Sequence, residues 1–146
     1  MPGKSLRVNL YTDGGARGNP GPAGAGIVLL DADDGQVLQE AGFFLGRATN
    51  NVAEYTALVR GLEVAEQLGA VEVAVHSDSE LLVKQMKGEY RVKNQNLAVL
   101  HAEARKLEDR FDRVRYEHVR REKNARADLL ANKAMNRKGS VQDADD

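Results

Sequence analysis

Two runs in this chain alternate apolar and polar residues and then stop on an aspartate. Leu6-Arg7-Val8-Asn9-Leu10-Tyr11-Thr12 leads into Asp13-Gly14-Gly15, and Val71-Glu72-Val73-Ala74-Val75-His76 leads into Ser77-Asp78-Ser79. A period of two marks both as strands. A helical stretch, Thr49 to about Leu68, lies between them. A strand, a crossover helix and a second strand in one sheet close with a right-handed turn that leaves the strands parallel. Parallel neighbours bring like ends together, so Asp13 and Asp78 are expected side by side. The carboxyl ends of strands in open α/β sheets are where ligands are held, and acids there suit metal or phosphate chemistry.

The remaining elements complete an α/β chain. The loop Gly14 to Pro22 is too rich in Gly and Pro for regular structure. It lacks the Gly-Lys-Ser/Thr ending of a phosphate loop, and Gly24 and Gly26 complete no dinucleotide fingerprint. Ala23–Leu30 and Gln36–Leu45 read as strands joined by the turn Asp33-Asp34-Gly35, which makes a three-strand antiparallel meander with the first strand. Thr49, Asn50 and Asn51 are all competent caps for the helix that Gly69 closes. Its apolar stripe is Leu58, Leu62, Ala65 and Leu68, and Glu54 lies on that stripe, where a lone charge is costly unless something binds it. Ser79 caps a short helix. Lys87 to Asn94 is a polar, basic connection, and a helix runs from about Asn96 to Arg110. Val114–Val119 is the fifth strand. Asn124 reads as the cap of a last helix ending near Arg137, with Asp128 one turn inside it on the core-facing edge.

Composition narrows the chemistry. The 146 residues include no cysteine, which excludes disulfides, thiol catalysis and thiolate metal sites. With 42% hydrophobic and 29% charged residues the chain reads as globular. No apolar run reaches membrane-spanning length and no apolar signal region follows Met1, so the expected location is cytoplasmic, with no membrane partner. The net charge is −1, yet twelve Lys and Arg face six acids between Arg105 and Lys138, an asymmetry that permits a polyanionic partner. His76, His101 and His118 have no metal-ligand spacing and read as structural or surface residues. A single domain is expected over residues 1–139, followed by an acidic, disordered tail over 140–146.

The strings Tyr-Thr-Asp-Gly-Gly, Gly-Asn-Pro-Gly, Thr-Asn-Asn-Val-Ala-Glu, Ser-Asp-Ser and Asn-Ala-Arg-Ala-Asp-Leu-Leu-Ala-Asn occur in that order over residues 6 to 137. Together they strongly resemble type 1 ribonuclease H. The resemblance implies a ribonuclease H-like fold, a five-stranded mixed sheet (the meander plus two parallel strands) flanked by helices. It implies an endonuclease that hydrolyses the RNA strand of an RNA–DNA hybrid and leaves 5′-phosphate and 3′-hydroxyl ends. The cofactors implied are two divalent cations, Mg²⁺ or alternatively Mn²⁺, held by Asp13, Glu54, Asp78 and Asp128. By the family pattern Asp13 bridges both ions, Asp128 serves the nucleophile side, and Glu54 and Asp78 serve the leaving-group side. Gly14, Asn19, Asn50, Asn51 and Ser79 match positions that touch the hybrid, and Thr49 one that helps hold a DNA-strand phosphate. A monomer is expected.

Three departures from the pattern bear on function. Glu80 stands where many relatives carry Gln. Lys87 to Asn94 replaces a basic, Trp-containing protrusion, leaving Lys87, Arg91 and Lys93 to supply charge. The stretch His118 to Asn124 has no histidine in the loop before the last acid, and Arg121 or Glu122 is assigned the role that this histidine has elsewhere. The competing readings are a hybrid-binding module without activity, a transposase- or resolvase-like nuclease, and a relative of the domains fused to phosphatases. The presence of all four acids favours the hydrolase.

Overall fold

The computed structural model describes residues 5–142. Its strands are β1 (Leu6–Ala16), β2 (Gly21–Asp31), β3 (Val37–Ala48), β4 (Ala70–Ser77), β5 (Arg113–His118) and β6 (Val141–Gln142). Its helices are α1 (Asn50–Gln67), α2 (Glu80–Met86), α3 (Gln95–Glu108) and α4 (Ala125–Arg137), with a 3-10 turn over Arg121–Asn124. One sheet runs β5-β4-β1-β2-β3-β6. The meander pairs antiparallel, while β4 joins β1, and β5 joins β4, in parallel. The five-stranded mixed sheet expected from the patterning is therefore present. The short β6 adds to its β3 edge.

That sixth strand corrects one expectation. Val141 pairs with Gly42 and is 1% exposed, so the ordered chain runs past residue 139 into the stretch read as a disordered tail. An apolar side chain two residues beyond Gly139 finds a hydrophobic slot on the sheet edge, which outweighs the polar character of its neighbours. Residues 143–146 lie outside the described part.

Each face of the sheet has its own core. Val8, Leu10, Ile27, Leu29, Val73 and Val75 pack under α1 and α3 with Tyr55, Leu58 and Leu62. On the other face Val28 meets Ala127, Leu130 and Ala134 of α4. Because β2 is covered on both faces it reads as a continuous apolar run rather than an alternating one.

Glycine sets how close α4 comes. A Cβ on Gly26 would lie 2.0 Å from the Ala127 carbonyl oxygen, and one on Gly42 would lie 2.3 Å from that of Leu130. The helix backbone thus rests on the strand backbone with no side-chain layer between them. This contact carries Asp128, one residue after Ala127, down to the level of the sheet.

Helix caps follow the side chains. Thr49 caps α1 by accepting from the Val52 N–H at 3.2 Å, Ser79 caps α2, and Asn94 caps α3. Asn124 does not cap α4, contrary to the sequence reading. Its side chain is buried and donates instead to the Thr12 carbonyl at 2.8 Å. The basic connection after α2 is tied down by Gln85, which donates to the Arg91 carbonyl and accepts from the Tyr55 hydroxyl at 2.6 Å. Among the described residues no helix is long and apolar enough to cross a membrane.

Candidate active site

The parallel ladder between β1 and β4 ends at Thr12 beside Ser77. Asp13 and Asp78 are the next residues on each strand, so they emerge together where the hydrogen bonding stops. On its other side β1 stays paired with β2 through Ala16, which keeps Asp13 opposite Gly26 and fixes its backbone. Glu54 arrives from the second turn of α1. A Cβ on Gly14 would overlap the Ala53 backbone at 2.3 Å, so only glycine lets α1 approach this closely. The Gly14 N–H then donates to the Glu54 carboxylate at 3.0 Å and orients it.

One oxygen from each of Asp13, Glu54 and Asp78 lies within 4.8 Å of the others. The Asp128 carboxyl reaches Asp13 from α4, on the opposite side from Glu54. Burial raises the Asp13 pKa to about 8, with the charges of Asp78 and Asp128 adding to the shift. Glu54 is pushed well above the usual carboxylate range by burial first and then by Asp13 and Asp78, against the opposing Gly14 hydrogen bond. Among the described residues none of these four carboxylates is ion-paired with Lys, Arg or His. Crowded, half-buried acids without an internal cation form a strong site for external positive charge.

The acids open into a cleft of about 670 Å³, lined also by Asn50, Arg17, Asn132 and the stretch His118 to Glu122. Gly14, Asn50, Arg121 and Glu122 of the sequence-derived set therefore share the site with the four acids. Asn19 and Asn50 form its outer brace: the Asn50 N–H donates to Asn19 Oδ1 at 3.0 Å, and Asn50 Oδ1 accepts from the Ala16 N–H at 2.7 Å. Asn51 is exposed next to Asn50. Thr49 and Ser79 are occupied as helix caps, and Thr49 lines a separate groove with Arg47 and Asn96.

Sequence reasoning missed several residues of this region. His118, read as structural or surface, lines the cleft because β5 pairs His118 beside Ser77 at the same end of the sheet. Its place at the end of a third parallel strand was the available signal. Asn132 follows Asp128 by four residues and so shares its helix face. Arg17 carried no signal beyond its position in the glycine-rich loop. The other two histidines are structural in character: His76 stacks on Tyr11 at 4.5 Å and bonds Asn9, and His101 packs near the Tyr55 ring.

Comparison with known proteins agrees with this fold. Residues 11–134 match the family model described as reverse transcriptase-like. The bifunctional protein Rv2228c of Mycobacterium tuberculosis is 51% identical over 130 residues, covering 89% of this chain and 36% of that protein. The chain thus spans about a third of the length of the first curated relatives it matches. Ribonuclease HI of Halobacterium salinarum is 43% identical over 92% of this chain and 67% of its own length. Among solved structures, LC11-RNase H1 in complex with RNA/DNA hybrid superposes with a TM-score of 0.85 at 45% identity, covering 90% of this chain and 98% of that one. Likeness at this level, over nine tenths of the chain and with a family model spanning residues 11–134, means that the chain belongs to the type 1 ribonuclease H family.

Proposed function

We propose that this chain hydrolyses the RNA strand of RNA–DNA hybrids, acting as a single-domain monomer with metal ions held by Asp13, Glu54, Asp78 and Asp128. The observation that carries this reading is the convergence of these carboxylates, none of them ion-paired among the described residues, in an open cleft. Family resemblance and the hybrid-bound relative support it.

The donor set fits a hard divalent cation. All four groups are carboxylates, no sulfur or imidazole is included, and a few carboxylates combined with phosphate and water is the usual protein site for Mg²⁺. Two bound ions, Mg²⁺ or alternatively Mn²⁺, would lower the pKa of water and neutralise charge on the phosphate. By the family pattern all four would hold the ions, Asp13 serving both, Asp128 the nucleophile side, and Glu54 and Asp78 the leaving-group side.

The chain's own groups do the rest. The Gly14 N–H holds the Glu54 carboxylate in one orientation, so little reorganisation is needed when substrate arrives. Gly14, Asn19, Asn50, Asn51 and Ser79 offer small side chains, amides and a hydroxyl to a shallow minor groove, where the 2′-hydroxyl separates RNA from DNA. Thr49 serves a DNA-strand phosphate, and Arg121 or Glu122 stands in the loop where many relatives have histidine. Hydrolysis at the 3′ oxygen leaves 5′-phosphate and 3′-hydroxyl ends.

The test is cleavage of an end-labelled RNA–DNA hybrid in Mg²⁺, Mn²⁺ or EDTA, beside single-stranded RNA and duplex DNA. Metal-dependent cutting of RNA only in the hybrid, lost in Asp13→Asn, is expected. Hybrid binding with no cutting in either metal would reduce the chain to a binding module.

A further inference from the structure

Most arginines whose contacts are defined close on a carboxylate: Arg7 on Asp33, Arg60 on Glu63, Arg105 on Glu108, Arg110 on Glu66, Arg115 on Glu117 and Arg126 on Glu40. Arg17 lines the same cleft as four carboxylates and bonds none of them. Its guanidinium reaches across to α4 and donates to Asn132, at 3.3 Å to Oδ1 and 3.5 Å to the carbonyl oxygen. Asn132 is itself anchored, donating from Nδ2 to the Asp128 carbonyl at 2.9 Å.

The acceptors are neutral and the bonds long, and Arg17 is exposed, so its full charge faces solvent at the rim. Parking on Asn132 keeps the guanidinium from neutralising the acids. Its backbone, by contrast, is pinned. The Arg17 N–H donates to the Pro22 carbonyl at 2.8 Å, and the adjoining Ala16 and Asn19 are tied to Asn50 at the start of α1. A long cationic side chain on a fixed base, with donors to spare, is suited to phosphate oxygens.

We propose that Arg17 is a phosphate-binding residue that takes a backbone phosphate flanking the four-acid centre on its Asp128 side. The proposal rests on the hybrid as substrate and adds a contact that positions it. A phosphate contact of this kind is independent of base sequence and sets affinity and its salt dependence.

The experiment measures hybrid binding by fluorescence anisotropy against salt in the full chain carrying Asp13→Asn, alone and combined with Arg17→Ala or Arg17→Lys. Arg60→Ala, in the groove between α1 and β3 and outside the cleft, is the control. Arg17→Ala should weaken binding about 5- to 10-fold and make the slope of log K against log salt shallower by about one phosphate's worth. Arg17→Lys should keep the slope while losing part of the affinity, because the charge remains and the fork does not. With Asp13 intact, the Arg17→Ala loss should appear in KM rather than kcat. An unchanged slope, or a drop in melting temperature that accounts for the whole effect, would overturn the proposal and leave Arg17 a strut between the loop and α4. If the parent chain binds hybrid without cutting it, the nuclease reading fails while the slope comparison still decides the role of Arg17.

Discussion

Helix α4 handles two buried carboxylates in opposite ways within a single turn. Glu40 of β3 is 8% exposed and is met by Arg126, whose Nε and Nη2 donate to its two oxygens at 3.0 and 2.7 Å. Asp13 of β1 is 7% exposed, and what α4 brings to it, two residues later, is another carboxylate, Asp128. A buried acid that finds its cation inside the chain is part of the scaffold. One that meets only further acid among the described residues is open to a cation from outside and carries a cost in stability that the rest of the fold must cover. Burial and chemical group are alike at the two places, so the partner that α4 supplies is what sets them apart.

The sharpest way to break this comparison is Asp13→Asn. Cleavage of hybrid should fall by about 10³-fold, the scale of losing a group that stabilises charge in the transition state, while the melting temperature in EDTA should rise because repulsion is relieved. A lower melting temperature in EDTA would mean that Asp13 is a structural acid like Glu40. The pH dependence follows with the same sign. The folded pKa of Asp13, about 8, lies above its ordinary value of 3.8, so the folded state holds this proton more tightly than the unfolded chain. Without metal, the stability that this proton confers is complete below pH 4 and is lost as pH rises through about 8. Urea titrations in EDTA across this range should show the decline, and Mg²⁺ should reverse it.

Arg126→Ala tests the other half. It strands Glu40 with its charge buried and should cost about 2–3 kcal/mol, below the range for fully buried pairs because Arg126 is 43% exposed. Adding Glu40→Gln should return part of this loss, and metal affinity should change little in either variant. Gly26→Ala joins the two regions. Its methyl would strike the Ala127 carbonyl, so it should cost about 1–3 kcal/mol by overpacking. It should also weaken metal binding, measured by calorimetry, because lifting α4 withdraws Asp128 from Asp13. Stability lost with metal affinity intact would show that α4 can shift without disturbing the site. The smallest effect belongs to Thr12→Val. Among the described residues Thr12 Oγ1 is buried and has no hydrogen-bond partner, so replacing it by a methyl should leave the melting temperature within about 2 °C or raise it.

Much of the fold was legible because it rests on local periodicity. The alternating runs that became β1 and β4, the turn at Asp33–Gly35 and the apolar stripe of α1 all depend on neighbours a few residues apart. The crossover rule then turned two strand-end aspartates into a pair without reference to any contact. What stayed hidden depends on distant partners. Asn124 looks like a cap in sequence, yet it spends its amide on Thr12, 112 positions away. Val141 sits in a polar tail and still makes a strand, because a slot on β3 is open to it. Glycines 26 and 42 carry no signal of this kind in sequence, and their role appears only when α4 is laid across them.

The sequence by itself determined the five long strands, the four helices and the sense in which the meander and β4 join β1, and through the family resemblance it singled out four acids, since propensity and burial pattern act over short range. Only the tertiary structure decided how α4 brings Asp128 against Asp13 and that Arg17 stops short of the acids it faces. Those outcomes depend on ångström-scale helix-to-sheet distance and on which neutral oxygen lies within reach, and neither is encoded in any local stretch of chain.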